Sequence, residues 1–260
     1  MRAPHSLDRQ GAWLIVGSLL FLGLAAALMG WRSASAPPDP VTLCSAGRPV
    51  AGEVVILFDA TDHPSAGELA SVVEWLRQVE LAGLRQNQRV TLWVLGTSAD
   101  GPLARRFCRC YPGRETDPVL HNPAMAAAAC ESLFVRPLSN AIEAAGSTTP
   151  SHRSPILEAI RELSVQPEFV GSSGPKRLIL VSDLEENMPG LSLYRGVPSF
   201  AHFRSAPLFR RVKSNLHGVS VDVLFLPRGV ADASLSPAIT DFWREFFNEC
   251  GVASVSFRRL

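Results

Sequence analysis

Residues 54–63, VVILFDATDH, decide the fold. Five apolar residues lead to Asp59, and a short polar turn and a helical pattern follow. A continuous apolar run of this length is typical of a parallel strand that is buried on both faces of a sheet. Ligands of open α/β sheets bind at the carboxyl ends of such strands. The stretch therefore predicts an acidic side chain at the ligand-binding edge of a sheet.

A second apolar run, residues 177–183 (RLILVSD), also ends on an aspartate, Asp183. Further β-rich runs cover 89–96, 219–226 and 252–257, and 103–110 is predicted to be an antiparallel edge strand. Helical spacing covers 65–86, 123–145, 154–163, 200–216 and 237–250. This alternation predicts an α/β fold, a three-layer αβα Rossmann-like arrangement around a mostly parallel sheet.

Local signals add detail to this prediction. Ser65 with Glu68 three residues later is the pattern of a capping box, and Pro155 is expected at the first helical position. The phenylalanines at 200, 203 and 209 alternate with arginines, which favours an amphipathic helix with a buried aromatic face over a basic contact surface. Phe242, Trp243, Phe246 and Phe247 recur at helical spacing and are predicted to be core.

The N-terminal region predicts a membrane anchor. Residues 11–31 carry no charge, and as a helix they reach roughly 30 Å, the thickness of a bilayer core. We expect a cytoplasmic segment at 1–10, a transmembrane helix at 11–32, a linker at 33–50 and one folded domain at 51–260. A signal peptide cleaved after Ala34-Ser35-Ala36 is the alternative, but the apolar regions of signal peptides are usually shorter.

The charges and cysteines indicate which compartment the domain occupies. Arg2 and Arg9 precede the apolar run, which points the N-terminus inward, although Arg32 follows it at once. The five cysteines, Cys44, Cys108, Cys110, Cys130 and Cys250, all lie after the run, as suits an oxidising compartment. We predict a single-pass protein of a bacterial inner membrane with a periplasmic C-terminal domain. A Cys44–Cys110 disulfide is the first choice of pairing, and the remaining pairings stay open.

The chemistry-bearing residues are those of a hard-cation site. Mg²⁺ takes oxygen ligands and keeps several waters, so a few hydroxyls and carboxylates suffice. Asp59, Thr61, Ser154 and Asp183 are the candidate ligands. A formal net charge of +1 gives no reason to expect nucleic acid as a partner. The chain has no P-loop, no dinucleotide glycine fingerprint and no Gly-x-Ser-x-Gly elbow.

These motifs, in this order, resemble the von Willebrand factor A (vWA) domain. That family carries a metal-ion-dependent adhesion site made of Asp-x-Ser-x-Ser after the first strand, a Thr in a later loop and an Asp after the fourth strand. The matching residues are 59–63 (DATDH), Ser154 and Asp183, and the resemblance spans about residues 53–260. It implies a vWA-like fold and a magnesium site that binds an acidic side chain of a protein partner.

The departures from the family pattern leave alternatives open. Thr61 and Ser154 keep the hydroxyl ligands, but His63 replaces the last Ser, and imidazole is better suited to Zn or Ni than to Mg²⁺. The site is then either degenerate and metal-free or uses Asp62 instead. A purely structural interpretation has Asp59 and Asp183 cap adjacent helices or loops without any cation.

The predicted function is a membrane-anchored periplasmic module for protein binding or assembly, without catalysis of its own. One alternative is an exported phosphohydrolase of the haloacid-dehalogenase type with Asp59 as nucleophile. That family needs a second acid two residues later, where this chain has Thr61. The other alternative is a scaffold whose site holds no metal.

Overall fold

The computed structural model describes residues 9–33, 38–62, 64–98, 101–113, 122–146, 151, 153–171, 173–226 and 236–260. The strands are β1 (Glu53–Asp59), β2 (Arg89–Ser98), β3 (Gly101–Cys110), β4 (Lys176–Ser182), β5 (Asn187–Met188), β6 (Leu191–Ser192), β7 (Val219–Phe225) and β8 (Ser254–Arg259). The helices are α1 (Arg9–Ser33), α2 (Ala66–Trp75), α3 (Leu81–Gly83), α4 (Pro123–Cys130), α5 (Arg136–Ala145), α6 (Ile156–Leu163), α7 (Pro167–Val170), α8 (Phe200–Ser205), α9 (Pro207–Val212) and α10 (Pro237–Glu249). Single π-helical segments, Leu76–Glu80 and Glu131–Val135, join α2 to α3 and α4 to α5.

Six strands of the described residues form the main sheet, in the order β3-β2-β1-β4-β7-β8. All neighbouring pairs are parallel except β2 with β3, which confirms the predicted antiparallel edge strand. After β1, the chain adds β2 and β3 on one side of it and then β4, β7 and β8 on the other side. The carboxyl ends of β1 and β4 therefore flank the topological switch point of the sheet, where open α/β folds bind ligands.

Strand β1 supplies side chains to both faces of the sheet. Val55 and Leu57 lie in one core cluster with residues of α6, α9 and α10, whereas Val54, Ile56 and Phe58 lie in a second cluster with residues of α2 and α5. Every residue of β1 is buried, as expected for a strand covered by helices on both sides. The predicted α/β arrangement with a mostly parallel sheet is confirmed.

Two of the local signals have different outcomes. The capping box at α2 is confirmed, because Ser65 Oγ accepts from the Glu68 N–H at 3.2 Å and the Ser65 N–H donates to Glu68 Oε2 at 2.6 Å. The placement of Pro155 at the first helical position is wrong by one residue. Pro155 is the N-cap of α6, with φ −85° and ψ 60°, and Ile156 is the first helical residue.

The predicted helix over 200–216 is wrong, since two short helices, α8 and α9, occupy this region. Ala206 between them is extended, with ψ 150°, because the ring of Pro207 disfavours a helical conformation in the residue before it. The amphipathic interpretation holds, as Phe200, Phe203 and Phe209 are all buried. Residues 187–198, between β4 and α8, contain the β5–β6 hairpin and a 3₁₀ turn at Leu193–Arg195.

The aromatic residues of α10 are core, as predicted. Phe242, Trp243, Phe246 and Phe247 are 0–2% exposed. Trp243 also has a polar contact, since its Nε1–H donates to the carbonyl oxygen of Leu184 at 2.9 Å. This bond ties the helix to the loop that follows β4.

The N-terminal apolar run forms α1, a helix of 25 residues. Its described large apolar side chains are exposed, with Trp13 at 74% and Phe21 at 72%. In the part of the chain that the structure describes, no helix combines the length and the apolar character needed to cross a membrane. The anchor over 11–32 and the single-pass topology stay predictions, and the alternative cleavage site at 34–36 lies outside the described residues.

The predicted disulfide between Cys44 and Cys110 is confirmed. It joins the segment that leads into β1 to the last residue of β3, which lies opposite Arg89 at the beginning of β2. The other cysteines are free, and both Cys130 and Cys250 are buried. Because the bridge spans 66 residues, loop-closure entropy predicts a stabilisation of about 4 kcal/mol.

We expect Cys44→Ser to lower the free energy of unfolding by about 2–4 kcal/mol, because the unfolded chain regains the entropy that the bridge removes. Urea denaturation of the oxidised wild type and the variant measures this difference. Cys108→Ser is the control, since Cys108 is a free, half-buried thiol, and it is expected to change stability by less than about 1 kcal/mol. Equal stability of wild type and Cys44→Ser contradicts the prediction.

Candidate functional site

Two buried aspartates meet at the switch point of the sheet. Asp59 is the last residue of β1, and Asp183 directly follows β4. The register pairs Phe58 with Val181, so the two strands end side by side. Each aspartate is only 7% exposed. The structure therefore brings both predicted carboxylates to one edge and largely removes them from water.

Hydroxyl groups surround the carboxylate of Asp59. Its Oδ1 accepts from Thr61 Oγ1 at 2.7 Å and from the Thr61 backbone N–H at 3.1 Å. Its Oδ2 accepts from Ser154 Oγ at 3.2 Å and from Ser182 Oγ at 2.9 Å. A hydroxyl that donates its proton to a carboxylate keeps its oxygen lone pairs for another partner. Thr61 and Ser154 can thus serve as neutral oxygen ligands while they remain bonded to Asp59.

Backbone contacts fix Ser154 beside Asp59, although 95 residues separate them. Ser154 forms an isolated antiparallel bridge with Asn187, whose N–H donates to the Ser154 carbonyl at 3.0 Å. The N–H of Ser151 donates to the carbonyl of Thr61 at 2.8 Å. The loop before α6 is therefore attached both to the turn after β1 and to the segment after β4, so the three parts of the predicted site converge.

The surroundings of Asp183 disfavour its ionised form. Burial, and next the negative charge of Asp59, raise the pKa of Asp183 from 3.8 to about 9, although a hydrogen bond from the Glu185 N–H to Oδ1 at 3.0 Å opposes this. Without a cation, burial and the charge of Asp59 therefore favour the protonated form of Asp183. A divalent cation reverses this preference, since its charge favours the ionised forms of both carboxyls.

The donor set fits Mg²⁺. Asp59, Thr61, Ser154 and Asp183 present only oxygen atoms, which suit a hard cation that keeps part of its water shell. No cluster of three or more His, Cys, Asp or Glu side chains suited to a metal occurs within the described residues. The departure at His63 lies outside the described residues, and the alternative ligand Asp62 accepts a hydrogen bond from the Tyr194 hydroxyl at 3.4 Å.

Local loop capping accounts for only some of these bonds. Asp59 and Asp183 each accept from the backbone N–H two residues ahead, as aspartates do in turns. Neither is the N-cap of α2 or α6, which begin after Ser65 and Pro155. The long-range bonds from Ser154 and Ser182 to Asp59 go beyond a capping role.

Sequence reasoning missed two residues of the site. Ser182 bonds Asp59, and its Oγ also accepts from the Leu184 N–H at 2.8 Å. Glu186 is 1% exposed, and its Oε2 accepts from the Leu157 N–H at 2.9 Å in the first turn of α6. Ser182 could have been noticed as the neighbour of the strand-ending Asp183. No pattern in the sequence indicates that Glu186 folds back onto α6.

The buried carboxyl of Glu186 leads us to expect that the free energy of unfolding falls as the pH rises. Burial raises its pKa from 4.5 to about 8, with the Leu157 N–H opposing the shift. Because the folded chain binds this proton more tightly than the unfolded chain, the stabilisation is complete below about pH 4.5 and is lost as the pH rises through about 8. Glu186→Gln keeps an acceptor for Leu157 and removes the titration. We expect it to raise the free energy of unfolding at pH 8 by on the order of 1–3 kcal/mol.

Chemical denaturation in EDTA-containing buffers between about pH 5 and 8.5 measures this effect. Glu162→Gln on exposed α6 surface is the control, since it makes the same change of charge without a buried carboxyl. Parallel pH profiles for the wild type and Glu186→Gln contradict the assignment.

Comparisons with known proteins find structural likeness only. No protein-family model matches the chain, and no curated protein matches it either. Among solved structures, the conserved hypothetical protein BatB from Bacteroides thetaiotaomicron is 12% identical over 80% of this chain and 90% of that one, with a TM-score of 0.42. An aerotolerance-related membrane protein from Bacteroides fragilis is 15% identical over 80% of this chain and 90% of that one, with a TM-score of 0.33.

A third structure comes from a different kind of organism. Proximal thread matrix protein 1 from the mussel byssus is 14% identical over 81% of this chain and 42% of that one, with a TM-score of 0.40. At TM-scores of 0.33 to 0.42 these likenesses carry no argument about what the chain does.

Proposed function

We propose that this chain is a vWA-like protein-binding or assembly module, anchored in a bacterial inner membrane by residues 11–32 with its folded domain in the periplasm. A Mg²⁺ site of Asp59, Thr61, Ser154 and Asp183 takes an acidic side chain of the protein partner. The observation that carries this proposal is the carboxylate of Asp59, which accepts hydrogen bonds from both predicted hydroxyl ligands.

The arrangement suits a cation in two respects. The hydroxyls of Thr61 and Ser154 already point their protons at Asp59, so no rearrangement of these bonds is required to present their lone pairs. The nearby Asp183 supplies a second carboxyl whose ionisation a cation favours. When bound, Mg²⁺ supplies an open coordination position that attracts a carboxylate oxygen.

The contacts of Asp59 favour binding over phosphoryl hydrolysis. A phosphohydrolase of the haloacid-dehalogenase type needs an acid at the position of Thr61. Here that side chain is a hydroxyl that donates to Asp59 at 2.7 Å. The third candidate, a metal-free scaffold, differs from the proposal only in its response to cations.

Thermal unfolding of the full chain with increasing Mg²⁺ or Mn²⁺ tests the site. A cation that binds only the folded chain stabilises it by about 2.7 kcal/mol at 100 times its dissociation constant. We expect the wild type to show a saturable rise of the unfolding midpoint and Asp59→Asn to show none. Asn keeps the size of the side chain and can still accept hydrogen bonds, so the variant separates loss of the cation from loss of the fold.

Asp241→Asn is the matched control, because Asp241 is an exposed residue of α10 that pairs with Arg244. It should respond to the cation as the wild type does. A wild type whose midpoint is unchanged by either cation overturns the magnesium site and favours the metal-free scaffold. Turnover of p-nitrophenyl phosphate that Asp59→Asn abolishes would instead favour the phosphohydrolase.

A further inference from the structure

A cavity of about 580 Å³ lies beside the candidate cation site. Its wall includes Arg153, which directly precedes Ser154, and Asn187, which forms the backbone bridge with Ser154. The β5–β6 hairpin, the segment from Arg195 to Pro198, α8 and Ala206 supply the rest of the wall. The cavity therefore adjoins the loop that carries Ser154, a hydrogen-bond partner of Asp59.

Three basic residues line the cavity. Arg153, Arg195 and His202 line it, and all three are exposed. Arg153 and Arg195 form no ion pair with a described residue. Other arginines in this part of the fold are neutralised, since Arg204 pairs with Glu249 at 3.0 Å and Arg211 with Glu158 at 2.7 Å. The two cavity arginines are thus available to an anion from outside the domain.

The remainder of the wall is apolar and well held. Leu191 and Phe203 are 6% and 2% exposed, and Met188 lies beside them. Phe203 packs edge-on against Phe209, with ring centroids 5.5 Å apart. Apolar residues next to two arginines suit an acidic peptide segment. The apolar residues pack against the carbon atoms of the segment, and the arginines bind its carboxylates.

We propose that this cavity binds a second carboxylate of an acidic segment of the protein partner, next to the acid held at the cation site. The inference deepens the proposed function and rests on it for the class of partner. Charge complementarity supports it, because Arg153 and Arg195 line the cavity next to the loop that carries Ser154. Their positive charges offset the repulsion that the acidic residues near Asp183, Glu185 and Asp62, exert on an acidic segment.

Fluorescence anisotropy of a fluorescein-labelled hexaglutamate peptide with the full chain in saturating Mg²⁺ tests the cavity, with hexaglutamine as the uncharged probe. We expect wild type to bind hexaglutamate more tightly than hexaglutamine. The double variant Arg153→Gln/Arg195→Gln should bind hexaglutamate about 5- to 10-fold more weakly, as expected for the loss of two partly exposed ion pairs. Its thermal shift with Mg²⁺ should equal that of the wild type.

Arg85→Gln/Arg136→Gln is the matched control, since it removes two exposed arginines that do not line the cavity. It should keep wild-type affinity within about twofold. The proposal is overturned if Arg153→Gln/Arg195→Gln binds as the wild type does, if the control loses as much affinity, or if the wild type does not distinguish the two peptides.

The same measurements separate this proposal from the proposed cation site. A Mg²⁺ response that Asp59→Asn removes, together with unchanged binding by the cavity variant, refutes the cavity and leaves the cation site in place. Arginine-dependent binding of hexaglutamate by a wild type that gives no Mg²⁺ response supports the cavity and refutes the cation site.

Discussion

Strand β1 pairs in parallel with β2 on one side and β4 on the other, and the candidate site depends on this double pairing. The register with β4 brings the carboxyl ends of the two strands together, which places Asp59 beside Asp183. Because side chains alternate between the faces of a sheet, a slip of β4 by one residue would exchange its buried faces and displace Asp183. The apolar residues of β1, buried in both core clusters, oppose such a slip.

The same pairing creates an electrostatic problem, since it buries two carboxyl groups within range of each other. The fold solves part of it locally, as the hydroxyls of Thr61, Ser154 and Ser182 solvate Asp59. At Asp183, burial and the charge of Asp59 raise the pKa, which favours a bound proton. A proton and a divalent cation are thus alternative ways to balance one charge, so the region favours cations before any partner is considered.

The sequence predicted what depends on local chemistry and on strand periodicity. The apolar runs ending in Asp59 and Asp183, the Ser65–Glu68 capping box and the Cys44–Cys110 bridge are all present in the structure. Pro207 indicates a helix break at Ala206, but the spacing of the phenylalanines favoured a single helix, which is wrong. Ser182 adjoins the strand-ending Asp183, but hydrophobic patterning does not identify Asp59, 123 residues away, as its partner. For the same reason no pattern in the sequence assigns Glu186 to the first turn of α6.

The position of the disulfide determines how the domain would carry mechanical load. Cys110 lies opposite the first residue of β2, at the edge where the parallel strands begin. Asp59 lies at the edge where they end, roughly 20 Å away along a seven-residue strand. A pull on the N-terminal segment is therefore borne first by the Cys44–Cys110 bond and the β3–β2 ladder. The aspartates and the cavity lie at the far edge, so a pull on the N-terminal segment reaches them only through the full length of the parallel strands.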